Sequence, residues 1–138
     1  MFLFDNNAFK LLVVGDTKTL ARVREQEGRV YLSSVAAEEL IAVHMNTMNR
    51  ARAPRTSLSL ARAHEDFVET LDDLRILPLF AYSPGAERIY RTFSAATIRE
   101  GAQDCRIAAQ AMAHGMTVVT HDLDDFTAIG ALCVDWSA

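Results

Sequence analysis

The chain has 138 residues, half of them hydrophobic, and a net charge of −4 from 14 Lys plus Arg against 18 Asp plus Glu. That length suits one domain with a substantial core, residues 1–138, and the acidic balance excludes a broad basic footprint for passive nucleic-acid binding. The two cysteines, Cys105 and Cys133, lack ligand spacing and exclude a disulfide scaffold or a zinc site.

"MFLF" reads as a short buried strand stopped at Asp5. It is too short for a signal sequence or a membrane span, and no other stretch reaches spanning length. The expectation is a soluble, cytoplasmic protein. A helix follows from about Ala8 to Val14 and ends at Gly15, and "TKTLARVREQEG" forms a second that stops at Gly28. "RVYLSS" is the next strand. Ser34 can cap a helix from Val35 to about Arg52, broken by Pro54, and another runs from about Ser57 to Leu74. "RILPLF" is a strand whose Pro78 places it at an edge or an end. Pro84 opens a helix toward Ile98, Gln103 to Ala113 forms one closed by Gly115, and "TVVT" and "LCVDW" are the last strands. Alternating strands and helices predict an α/β fold with a central, mainly parallel sheet flanked by helices. Ligands of such sheets bind beyond the carboxyl ends of the strands.

Carboxylates collect at that edge. Asp5 ends the first strand, and "VVTHDLDDF" places Asp122, Asp124 and Asp125 directly after another. No Lys or Arg lies between His121 and the C-terminus to compensate them. The stretch is either a solvated turn or part of a cation site. In "QDCRIAAQAMAHG" Asp104 falls on the helical stripe of Ile107, Ala108, Ala111 and Met112, with Arg106, Gln110 and Ala113 on the other side. An N-terminal Asp facing the helix dipole is the plainer reading of Asp104. Glu39 is flanked at helical spacing by Val35 and Val43, whereas Glu38 projects elsewhere. Taken together, these carboxylates would be self-destabilising without a positive partner. A hard cation supplies one, and oxygen-only ligation selects Mg²⁺ or Mn²⁺.

These residues carry a resemblance to the PIN-domain ribonucleases, particularly the VapC-type toxins of toxin–antitoxin pairs. "FLFDNN" resembles the family's hydrophobic-Asp-Thr-Asn opening, and "SSVAAEEL" its Ser-x-Val-x-x-x-Glu-Leu helix start. "DCRIAAQAMAHG" is similar to its Asp-x-x-Ile-Ala-Ala-x-Ala helix, and "VVTHDLDDF" to its closing Val-Thr-x-Asn/Asp-x-x-Asp-Phe. The motifs occur in the family's order across nearly the whole chain. The resemblance implies a metal-binding acidic set of Asp5, Glu39, Asp104 and Asp122 or Asp125, with Asn7 and Thr120 as supporting polar residues. Asn6 departs from the usual Thr or Ser, and the spacing leaves both Asp122 and Asp125 open as the last ligand. Implied with them are Mg²⁺- or Mn²⁺-dependent hydrolysis of RNA, a VapB-like antitoxin and a homodimer.

Competing readings fare less well. A haloacid-dehalogenase phosphatase would want Asp where Asn7 stands, and a receiver domain would want an acidic pair and a late Lys that "DNN" and "VDWSA" lack. His44, His64, His114 and His121 are scattered, with only His121 close enough to carry a proton. A non-catalytic PIN-like module that binds RNA or protein is the alternative. The run Arg50, Arg52, Arg55 and Arg62, with no acid among them, reads as a solvated face, an RNA-phosphate contact or an antitoxin surface.

Overall fold

In the computed structural model, which describes residues 1–138, five apolar runs form strands. They are β1 (Phe2–Phe4), β2 (Val30–Ser33), β3 (Leu79–Phe80), β4 (Thr117–Val119) and β5 (Cys133–Val134). All pair in parallel, in the order β3-β2-β1-β4-β5. A strand covered on both faces needs no polar alternation, and Leu3, Phe4, Leu32, Val118 and Val119 are all buried. β3 lies at one edge, as its preceding Pro78 suggested; the proline carbonyl still accepts from Leu32 at 2.9 Å.

Eight helices connect and cover the sheet: α1 (Asn6–Val13), α2 (Thr17–Glu25), α3 (Ser34–Ala51), α4 (Leu60–Asp73), α5 (Pro84–Tyr90), α6 (Ala95–Glu100), α7 (Ala102–Ala113) and α8 (Leu123–Ile129). Most starts are fixed by a side chain accepting one of the first-turn amides that a helix leaves free. Asp5 caps α1, Asp16 caps α2, Ser33 caps α3 and Ser59 caps α4. The cap of α3 is Ser33 rather than Ser34, whose hydroxyl instead accepts from the Tyr82 amide at 3.0 Å. The helix expected from Pro84 to Ile98 is two helices, because Ser94 turns its hydroxyl to the Thr97 amide and begins α6 afresh. α8 was not expected at all: it buries only Phe126, so no apolar stripe announces it.

The register positions the site. Phe4 faces Leu32 on one side and Val119 on the other, so Asp5, Ser33 and Thr120 leave three adjacent strands at one level. Strand order reverses between β1 and β4, which is where open parallel sheets form their ligand crevice.

Gln110 corrects the reading of α7. It is fully buried, whereas Met112, assigned to the apolar stripe, is exposed. α7 touches α3, α5, α6, α8 and β4, so little of its surface is left to face solvent. The Gln110 carbonyl accepts from Ser33 Oγ at 2.7 Å, and its amide donates to the Phe80 carbonyl. The side chain thus fastens α7 to the ends of β2 and β3. Gln110→Leu leaves Ser33 Oγ and the Phe80 carbonyl without that partner and is expected to cost about 1–3 kcal/mol in denaturant unfolding. A loss below about 0.5 kcal/mol would mean that these groups find other partners.

Candidate functional site

Asp5 is the most constrained acid in the chain. It follows β1 directly and is only 4% exposed. Oδ1 accepts from the Ala8 amide at 2.9 Å, and Oδ2 accepts from the Thr120 hydroxyl at 2.6 Å. Thr120, itself fully buried, accepts in turn from the Asp122 amide at 2.9 Å. One hydroxyl therefore couples the end of β1 to the loop after β4.

Asp5 opens onto a cleft of about 330 Å³ that Glu39 of α3, Asp104 of α7 and Asp122 also line, with Asn6, Asn7, Lys10, Leu40, Val43 and Ile107. Strand ends deliver Asp5 and Asp122; helix faces deliver Glu39 and Asp104. Val43, read as a core neighbour of Glu39, is 63% exposed, so that face of α3 is turned to the cleft instead of the interior. Glu38 points away and accepts from Gln103 Nε2 at 3.0 Å. Asp125 lies outside this cleft. It lines a neighbouring one of about 260 Å³ with Asp104, Gly101 and Thr97, so Asp122 and Asp125 approach Asp104 from two sides. Asn7 is exposed at the cleft margin.

Burial is the largest cause of the raised pKa of Asp5, offset by the hydrogen bonds from Thr120 and Ala8 and reinforced by Asp122. Glu39 is raised by burial first, with the Asn6 amide opposing and the Asp5 charge adding. The Asp104 carboxyl is pushed up to about 6 by burial and then by Asp5, Glu39, Asp122 and Asp125. The charges of Asp5, Glu39, Asp122 and Asp125 thus converge on Asp104. No three potential ligand side chains stand at metal-ligand spacing. The donors are nevertheless all oxygen, the chemistry that suits a hard divalent ion.

One charged cleft residue escaped the sequence reading. Lys10, the cleft's one cation, stands one helical turn after Asn6 on α1 and lowers the pKa of Glu39. The i, i+4 spacing of Asn6 and Lys10 was the available signal. Arg50, Arg52 and Arg55 are exposed and do not line the cleft. Arg50 stands eleven residues beyond Glu39 on α3, about 16 Å along the axis. Arg62 pairs with Asp66 at 3.0 Å. His121 Nδ1 lies 3.3 Å from Asp135 and 3.2 Å from Ser137 Oγ.

An acid whose pKa is higher folded than unfolded binds protons more tightly when folded, so its contribution to stability falls as pH rises between the two values. For Asp104 that window runs from its ordinary 3.8 to about 6. Metal-free Asp104→Asn is therefore expected to show a shallower loss of stability across this window and a higher denaturation midpoint at pH 7. A pH profile identical to wild type would remove Asp104 from the coupled cluster.

Comparison with known proteins places this geometry in a family. The model of the PIN domain matches residues 3–132. VapBC2 from Rickettsia felis, bound to a DNA fragment from their promoter, is similar at a TM-score of 0.71 and 16% identity, over 98% of this chain and 98% of that one. DNA-bound VapBC from Salmonella typhimurium gives 0.69 and 22%, over 98% and 97%. FitAcB from Neisseria gonorrhoeae gives 0.62 and 21%, over 99% and 98%. At such identities the structures speak for the fold. No protein of curated function is a significant match to the sequence. With nearly its whole length matched and its acids gathered at the sheet's switch point, this chain belongs to the PIN domain family.

Proposed function

We propose that this protein is a Mg²⁺- or Mn²⁺-dependent endoribonuclease, the toxin of a toxin–antitoxin pair. The observation that carries the reading is the cleft in which Asp5, Glu39, Asp104 and Asp122 face only Lys10. A phosphodiester is itself anionic and would be repelled from such a cleft unless a cation stood between. When bound, the divalent ion would supply a water of lowered pKa and stabilise charge on the scissile phosphate. Asp5, Glu39, Asp104 and Asp122 would hold it, with Asp125 reaching it from the Asp104 side. The protein's own contribution is orientation. Thr120 and the Ala8 amide fix both oxygens of Asp5, and Asp104, whose pKa is raised by burial and by its neighbouring carboxylates, would gain most from a cation placed beside it.

The partner reading has separate support. A groove lined by Phe9, Val13, Leu40 and Val43 runs beside the cleft and shares Lys10, Leu40 and Val43 with it. An apolar segment of a VapB-like antitoxin seated there would cover the cleft mouth. The complexes named above contain such partners in their own proteins. We assign the protein, by its resemblance to VapC-type toxins, to a homodimer acting in the cytoplasm; no helix is long and apolar enough to cross a membrane. The open spacing of the acids favours one second reading, a non-catalytic PIN-like module binding RNA or protein.

Calorimetry with Mn²⁺ separates the two. Wild type is expected to bind with an affinity that rises as pH passes about 6, the value to which Asp104 is pushed. No binding at pH 7 would favour the module. Asp5→Asn or Asp104→Asn is expected to abolish RNA cleavage with the fold intact, and cleavage at the wild-type rate would exclude that residue. Glu38→Gln, which keeps an acceptor for Gln103, should change little.

Arg50, Arg52 and Arg55 are proposed as a distant RNA-phosphate contact. Arg50→Ala with Arg55→Ala should weaken RNA binding, lower the slope of log affinity against log salt by roughly two units at most, and leave Mn²⁺ affinity unchanged. An unaltered slope would leave the strip to a partner surface or to solvent.

A further inference from the structure

We infer that a second cavity, on the other side of His121 from the acidic cleft, is a nucleotide subsite that holds an unpaired base of the RNA and its phosphate; this rests on RNA being the substrate, as proposed above. The cavity measures about 480 Å³, within the range of small-molecule sites. One wall is the face of α2 that carries Lys18, Ala21 and Arg22; the other is the segment 134–136 together with Phe2 of β1. Asp135, which lines the cavity, lies 3.3 Å from His121 Nδ1, and His121 directly precedes Asp122 of the acidic cleft. The two sites are therefore neighbours. The far wall is also held in place without a ligand. Asp135 Oδ1 accepts from the Ser137 amide at 2.9 Å and from its hydroxyl at 2.7 Å. Trp136, only 8% exposed, packs its ring 4.8 Å from Phe2 and 5.5 Å from Phe4.

The lining offers two kinds of contact side by side. Phe2, Ala21, Val134 and the open part of Trp136 give an apolar surface against which a base can lie, the sequence-tolerant element of single-strand binding. Lys18 is exposed and belongs to no ion pair, so its ammonium is free to meet a phosphate. The acids of the lining are already engaged: Asp135 as described, and Glu25 by Arg22 at 3.2 Å. That pair is exposed and therefore weak, which lets Arg22, one helical turn after Lys18, turn to the same phosphate. A purely apolar ligand would leave Lys18 unused, and a bare phosphate would leave the aromatic wall unused. A nucleotide engages both, and an RNA strand whose phosphodiester lies in the acidic cleft has this cavity next to it past His121.

Trp136 is the chain's only tryptophan, so its fluorescence reports on the cavity directly. Titration of the metal-free full chain with adenosine 5′-monophosphate is expected to quench or shift that emission. Adenosine should act about tenfold more weakly, the scale of one hydrogen bond to a charged group, and ribose 5-phosphate, which has no base, should leave the emission unchanged. Lys18→Glu should bring the monophosphate down to the affinity of adenosine and leave adenosine itself unaffected. With a single-stranded RNA protected by 2′-O-methyl groups, Lys18→Ala should lower the slope of log affinity against log salt by about 0.7, the share of one phosphate contact. Asp104→Asn, in the acidic cleft, should leave the response to the monophosphate as it is in wild type. An emission unmoved by the monophosphate, or equal affinity for it in Lys18→Glu and wild type, would overturn the inference and return the cavity to solvent or to a protein partner. Binding of the monophosphate by a chain that fails to bind Mn²⁺ would uphold the subsite and overturn the metal reading instead.

Discussion

The arrangement of this protein depends on the solvation of one carboxylate. Asp5 stands at the end of the central strand, almost fully buried, with no Lys or Arg against it. Charge in such a position is tolerated only where hydrogen bonds replace water. The Ala8 amide provides one because Asp5 is the N-cap of α1, and the Thr120 hydroxyl provides the other because β4 lies beside β1 in register. Secondary structure and tertiary structure each satisfy one oxygen. Loss of either leaves the carboxylate undersolvated at the place where the chain turns from strand to helix.

The remaining acids are tolerated by different means. Asp124 and Asp125 lie in the first turn of α8, where the positive end of the helix dipole and free amides favour negative charge. Both are exposed to water. Asp122 is the N-cap residue of α8, its backbone held by Thr120. Asp104 occupies the first turn of α7, where burial and four neighbouring carboxylates raise its pKa. The outer acids of "VVTHDLDDF" are solvated helix-start residues, and the inner one, Asp122, lines the cleft with Asp5.

The sheet gives these local solutions a common location. An all-parallel order of β3-β2-β1-β4-β5 puts every strand's carboxyl end on one edge, and reversal of winding between β1 and β4 opens that edge. α3 and α7 touch each other, and one carboxylate from each lines the cleft with those from the strand ends. Residues at neighbouring helix positions tie the two helices together on the far side: Gln103 donates to Glu38, and Arg106 donates to Gln103 while stacking 4.6 Å over Tyr90. A hydrogen-bonded chain of Arg106, Gln103 and Glu38 thus lies beside the acidic cleft.

By itself the sequence determined the fold class, the five strands and the acids at their ends, because apolar runs, caps and strand-end aspartates are local properties written in consecutive residues. Glu39 and Asp104 were legible for the same reason, as acids at helical spacing from apolar residues. α8 was illegible because a single buried Phe126 supplies no periodicity, and Gln110 was misplaced because its partners, Ser33 and the Phe80 carbonyl, lie 77 and 30 residues away. Only the tertiary structure decided between Asp122 and Asp125 as neighbours of Asp5, brought Lys10 and Asn6 to the cleft, and left the arginines at the far end of α3. These outcomes turn on which side of a helix meets which strand end. That is set by packing between segments distant in sequence, and no local pattern encodes it.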